Sequence, residues 1–92
     1  ENHIRYFSEI DIGAQITVTT QALGGDGRKL HLLNKIWAGG DSPAATVETL
    51  LLHVDLSTRR VMAPTGLVAE RAAGFVAAHA GQPRPERLVI AV

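Results

Sequence analysis

The sequence contains no cysteine, which removes disulfides, thiolate metal sites and a cysteine nucleophile from consideration. A chain without thiols fits a reducing compartment. Charge of either sign is not in excess: nine Lys plus Arg face nine Asp plus Glu, so no net field draws the chain toward nucleic acid or an anionic membrane. Neither is expected as a partner. Long hydrophobic runs are missing as well. Leu50-Leu51-Leu52 is far too short to span a bilayer, and no charged-then-apolar leader opens the sequence. The cytoplasm is the expected compartment. There is no initiating Met, and Glu1-Asn2-His3 runs directly into strand-like sequence, as in a fragment or a processed chain.

What is present is an ordinary globular composition, 46% hydrophobic and 20% charged, well away from the disordered class. A chain of 92 residues makes one domain at most, and near this size only roughly 60–65% of the unfolded surface is buried. The core is therefore thin, and a partner subunit or a further segment is expected to help close it.

Period-two alternation dominates the first half. From His3 to Ile10, the residues Ile4, Tyr6, Ser8 and Ile10 oppose His3, Arg5, Phe7 and Glu9, the signature of a strand with two different faces. Asp11-Ile12-Gly13 breaks the pattern as a turn. The alternation resumes from Gln15 to Leu23, with Ile16, Val18 and Ala22 on one face. Gly24-Gly25-Asp26-Gly27 is a tight connection, because glycine supplies positive φ freely and Asp-Gly is a favoured hairpin pair. With no Lys-Ser/Thr after it and no helix, this is a turn and not a nucleotide loop. Lys29 to Trp37 reads as the return strand. After Gly39-Gly40-Asp41-Ser42-Pro43 comes Ala45–Asp55, whose Leu50-Leu51-Leu52 centre suits a strand covered on both faces. Four strands joined by short loops predict an antiparallel meander.

After Pro64 the spacing changes: Leu67, Val68, Ala72, Phe75 and Val76 form a helical stripe that ends near His79. Thr65 is the candidate N-cap and Gly81, with Pro83 beyond it, the stop. Gln82 to Arg87 resembles a linker or exposed tail, and Leu88–Val92 is apolar enough to dock or to pair as a short strand. The fold class is α+β: an antiparallel sheet followed by one C-terminal helix. One helix cannot cover both faces of such a sheet.

In this order the chain resembles the hotdog-fold thioesterase superfamily, in which a long antiparallel sheet wraps a central helix and subunits associate through their sheets. The resemblance rests on His3-Ile4-Arg5-Tyr6, on Asp11-Ile12-Gly13 with Ile16-Thr17-Val18, and on Arg28-Lys29-Leu30-His31-Leu32. It continues through Ala44-Ala45-Thr46, Leu51-Leu52-His53-Val54-Asp55 and Ser57-Thr58-Arg59-Arg60 to Pro64. It is nearest to the 4-hydroxybenzoyl-CoA-thioesterase-like branch, and there to thioesterases of carnitine breakdown, sometimes fused to carnitine dehydrogenase. The implied organisation is a partial hotdog domain over residues 1–81, without its N-terminal strand and central helix, and a tail over residues 82–92. The implied activity is hydrolysis of a short or small acyl-CoA thioester, with a betainyl-CoA-like substrate among the candidates. No cofactor is implied beyond the coenzyme A of the substrate. A homodimer or dimer of dimers is the implied assembly. The catalytic carboxylate and the oxyanion donors are expected before His3, so no catalytic residue transfers to these positions.

The candidate substrate or coenzyme A contacts are Tyr6, Asn34, Trp37, Arg59 and Arg60. Tyr6 and Trp37, with Phe7, are three of only four aromatics; one of them facing a quaternary ammonium acyl group would make a cation–π contact, against the commoner use of strand aromatics in packing. Asn34 interrupts the apolar run of Leu30, Leu32 and Ile36 and, if buried, needs a partner from the backbone, the subunit interface or a ligand. Arg59 and Arg60 have the fork geometry that grips phosphate, although exposed arginines after a strand are common. Glu48, with Thr46 on its face, is the carboxylate best placed in a strand, but is expected at a solvated position. His31 and His53 are expected as packing or interface histidines, and the four histidines lack metal-ligand spacing. Two other functions fit the residues: a non-catalytic dimerisation or ligand-binding module appended to a dehydrogenase, and an unrelated small α+β protein.

Overall fold

A computed structural model describes residues 1–85 and 87–90. Its centre is a four-stranded antiparallel sheet of β1 (Asn2–Tyr6), β2 (Thr17–Gly25), β3 (Lys29–Trp37) and β4 (Ala45–Leu52). A small hairpin follows, β5 (Val54–Asp55) with β6 (Arg60–Val61), and then helix α1 (Gly66–His79). The antiparallel sheet and its single following helix are those expected from the alternation and the helical stripe.

The order of strands across the sheet is β1-β4-β3-β2. Only β2, β3 and β4 form a meander; β1 lies on the far side of β4 instead of beside β2. The expected strand His3–Ile10 also ends early, at Tyr6, because the amides of Phe7 and Ser8 both turn in to the carbonyl of Ala44, at 2.8 and 3.2 Å. The chain then crosses to the opposite edge of the sheet through a turn at Asp11–Ala14, where Gly13 has φ 85°.

At the β2–β3 connection the strand runs on into the glycines. A side chain at Gly25 would place its Cβ 2.6 Å from the carbonyl oxygen of Lys29, closer than any real contact, so the hairpin closes only with glycine there. Asp26 secures the far side by accepting from the amides of Arg28 and Lys29. A bulge between Ala22 and Gly24 shifts the register of β2, as an extra residue in one strand does.

The expected strand Ala45–Asp55 divides in two. At His53 the backbone leaves the sheet, its amide bonding to Arg28 and its carbonyl accepting from Met62. Leu50-Leu51-Leu52 is therefore not covered on both faces: Leu51 and Leu52 remain 48% and 51% exposed. Helix α1 begins as predicted after Pro64, with Thr65 extended at φ −125° and ψ 165°, but the Thr65 side chain makes no capping bond. No helix residue is fully buried.

Cross-strand partners share a face, and the register sorts the sheet into two. One face carries His3, Arg5, His31, Leu33, Lys35, Thr46 and Glu48. The tail crosses this face, burying Ile90 to 7% exposure; Leu88–Ile90 docks without becoming a strand, and Ala91 and Val92 of the expected docking segment lie outside the described residues. The other face carries Ile4, Val18, Leu30, Ile36, Val47 and Leu51, with Ile4 and Val18 still more than half exposed.

Between the two faces the chain passes over the outer edge of β2, where strands present unpaired backbone groups. The Ala22 amide donates to His79 Nδ1 at 2.7 Å, Arg84 donates to the carbonyl of Leu23, and Gln21 donates to the carbonyl of Pro83. His79 also lies against Phe75, ring centroids 4.6 Å apart. Substituting His79 by Ala removes the acceptor for a part-buried amide and should lower unfolding stability by about 1–2 kcal/mol in urea titration. An unchanged midpoint would mean that α1 is not held to β2 through this bond.

Candidate functional site

Glu48 is not the solvated strand carboxylate expected from sequence. It is 4% exposed and His31 beside it 2%, the two most buried polar residues among those described. Their positions follow from register: Leu33 pairs with Glu48 and His31 with Leu50, so His31 and Glu48 sit on one face of adjacent strands. His31 Nε2 donates to Glu48 Oε2 at 2.7 Å. Two backbone amides of the tail complete the carboxylate's coordination, Val89 to Oε1 at 2.6 Å and Ile90 to Oε2 at 2.9 Å.

Burial by itself pushes the Glu48 carboxyl up, since water no longer solvates the anion. The amide of Val89, the hydrogen bond from His31, the amide of Ile90 and the charge of the imidazole outweigh that, and the net shift is downward. Glu48 is thus held as an anion by donors that belong to the protein. Three donors on two oxygens leave it engaged as an anchor for the tail, with little capacity to activate a water. The other acidic side chains with lowered pKa hold turns. Asp55 is lowered first by the Ser57 hydroxyl, and it accepts from the hydroxyl and amide of Ser57 in the β5–β6 hairpin. Asp26 is lowered first by the amide of Arg28.

Two cavities flank this centre. An apolar groove of about 610 Å³ lies between α1, through Val68, Ala72 and Val76, and the sheet end at Leu30, Leu51 and Leu52. Its imidazole, His53, is tied by Nδ1 to the carbonyl of Met62. A smaller cavity of about 230 Å³ lies on the tail face, lined among others by Arg5, Lys35, Thr46, Glu48 and Arg87.

The five sequence candidates do not converge. Tyr6, 81% exposed, and Asn34 share the open face, where Asn34 accepts from the Thr20 hydroxyl directly across the β2–β3 pair. Trp37 is on the tail face and donates from its indole to Thr19 at 3.0 Å. Arg59 and Arg60 belong to the separate hairpin, Arg59 at φ 61° as its turn residue. What the sequence did not single out is the tail-face set of Arg5 and Lys35, whose common signal is period-two spacing within two strands that only the register relates.

The family description of the thioesterase-like superfamily matches residues 1–79. This chain belongs to that superfamily. Among its relatives, the L-carnitine dehydrogenase/betainyl-CoA thioesterase of Ruegeria pomeroyi is 44% identical over 94% of the chain, which spans 18% of that protein. The betainyl-CoA thioesterase of Pseudomonas aeruginosa is 36% identical over 94% of the chain, which spans 55% of it. A hypothetical protein of Staphylococcus aureus, solved in complex with CoA, superposes with a TM-score of 0.85 at 26% identity over the whole chain and 60% of its own length. The chain thus spans little more than half of the shorter curated relative. Its antiparallel sheet and C-terminal helix are those of a superfamily member with the hotdog fold. No helix among the described residues is long and apolar enough to cross a membrane.

The lowered pKa of Glu48 gives a test of the anchor. Below the ordinary glutamate value, about 4.3, the folded chain binds fewer protons than the unfolded one. The stabilisation is therefore complete above that value and lost as pH falls through the lowered folded value. Glu48→Gln should be less stable than the parent near pH 7, with the gap narrowing from pH 5 toward pH 3 in denaturant titrations. A gap that stays constant over that range would contradict the anchor. His31→Ala, which strands a buried carboxylate, should cost about 3 kcal/mol at neutral pH.

Proposed function

We propose that this chain is part of an acyl-CoA thioesterase that hydrolyses a small acyl thioester, with betainyl-CoA as the foremost candidate. The observation that carries this is the match over 94% of the chain to two proteins whose names both include betainyl-CoA thioesterase. Superposition on a protein solved with CoA supports the same ligand class.

The reaction adds a water oxygen to the acyl carbon and breaks the carbon–sulfur bond; the proton lost by the water ends on the departing sulfur, giving a carboxylic acid and free coenzyme A thiol. It needs a carboxylate to activate water or attack directly, and donors for the oxyanion. Glu48, Asp26 and Asp55 are engaged in holding the tail and two turns. On this proposal the hydrolytic carboxylate and oxyanion donors come from polypeptide before His3, as the resemblance implies, and residues 1–92 supply the sheet. Assembly through the sheet as a homodimer in the cytoplasm belongs to the same proposal; the exposed apolar face of Ile4 and Val18 supports it. Tyr6, Asn34 and Trp37 are carried in this proposal as candidate substrate contacts, and Arg59 and Arg60 as one of two alternative phosphate contacts.

The match to 18% of a protein named for both dehydrogenase and thioesterase activities favours one other arrangement, in which these residues form a non-catalytic module beside a dehydrogenase. The complete reading frame that encodes this chain, purified and folded, separates the two. Thiol release from betainyl-CoA or another short acyl-CoA is the expected result. A folded protein that releases no thiol from any of them contradicts the thioesterase and leaves the module.

A further inference from the structure

The small cavity on the tail face has a charge distribution that neither the fold nor the tail anchor requires. Thr46 of β4 pairs with Arg5 of β1 on one side and with Lys35 of β3 on the other. Directly paired residues point to the same face, so the three side chains stand in one row across three strands. Strand spacing puts the Cα atoms of Arg5 and Lys35 roughly 10 Å apart, on either side of Thr46. The tail adds a third cation, Arg87, at the same cavity. Arg5 and Lys35 are half-buried, and among the described residues no carboxylate lies within ion-pair distance of Arg5, Lys35 or Arg87.

The carboxylate that does line this cavity is Glu48, already occupied by His31 and two tail amides. Arg5, Lys35 and the exposed Arg87 all line a cavity of about 230 Å³; like charges gathered at one cavity repel one another, and an anion placed among them relieves that repulsion. Phe7 and Leu88 supply the apolar part of the wall. Phe7 is 59% exposed, so its ring face is available to a planar group.

From this geometry we infer that the Arg5–Thr46–Lys35 row with Arg87 forms a binding site for the phosphorylated nucleotide end of coenzyme A. The arginines engage phosphate oxygens through their forks, Lys35 acts as a point charge, and the Thr46 hydroxyl donates. The adenine has Phe7 to lie against. Naming coenzyme A as the source of the phosphates rests on the thioesterase proposal; the anion site rests on the row alone. The assignment differs from the phosphate contacts expected at Arg59 and Arg60, which lie in the other sheet.

The test is a titration of the chain, and in parallel of its complete reading frame, with coenzyme A, 3′,5′-ADP, pyrophosphate and pantetheine. Calorimetry reads affinity, and circular dichroism confirms folding of each variant. Arg5→Ala and Lys35→Ala should each weaken coenzyme A and 3′,5′-ADP by about tenfold, the worth of a charge-assisted contact, and leave pantetheine unchanged. Arg5→Lys, which keeps the charge and loses the fork, should fall between parent and Arg5→Ala. Pyrophosphate weakened as much as 3′,5′-ADP would keep the anion site and overturn its specificity for a nucleotide. Unchanged affinity for every phosphate in folded Arg5→Ala and Lys35→Ala, or loss only in Arg59→Ala and Arg60→Ala, overturns the site. If the complete protein hydrolyses acyl-CoA and neither row variant raises KM, this inference fails while the thioesterase stands. Nucleotide binding at the row without hydrolysis has the opposite meaning.

Discussion

A buried carboxylate in the middle of a sheet tolerates no half-measures. Removed from water, Glu48 would cost several kcal/mol unless protein donors replaced its hydration. It finds three, from His31 on the neighbouring strand and from the amides of Val89 and Ile90. Much of the remaining architecture is arranged around that requirement. The β3–β4 register has to place His31 and Glu48 on one face, and the tail has to cross that face to deliver its amides. Reaching it from α1 takes the chain over the edge of β2, where His79, Pro83 and Arg84 meet the strand.

The two sheet faces consequently have different chemistry. Beneath the tail lie Leu33, the hydrogen-bonded His31 and Glu48 and, farther along, the row of Arg5, Thr46 and Lys35. The opposite face is largely apolar, with Asn34 and Thr20 bonded to each other on it; it is exposed around Ile4 and Val18 and grooved between α1 and Leu51. For a member of the thioesterase-like superfamily this division is informative. Charged and polar groups concentrate on the tail face, whereas the open face offers area for packing.

How much of this the sequence disclosed depended on the range of the interactions. Alternation located β3 at Lys29–Trp37 with both ends right, and helical spacing located α1, because both patterns are local. Period two specifies which side chains share a face within a strand, not which strands are neighbours, so β1 was expected beside β2 and lies beside β4. The burial of Glu48 is not legible locally for the same reason. A carboxylate in a strand ordinarily faces water, and the amides that stabilise it come from forty-one and forty-two residues away. The apolar Leu88–Ile90 segment did announce that it would dock, though not on what. Arg5 and Lys35 are thirty positions apart and become a pair only through Thr46, the residue between them in the register. Arg59 and Arg60, adjacent in sequence, were the conspicuous cations and sit in a peripheral hairpin.

The tail stays on the sheet only if Glu48 binds its amides, and amide hydrogen exchange followed residue by residue reads that directly. Val89 and Ile90 should exchange far more slowly than an unstructured peptide, with protection lost in Glu48→Ala while the amides of the β2–β3 pair stay protected. Exchange of Val89 and Ile90 at free-peptide rates in the parent, with the sheet intact, would contradict the anchor.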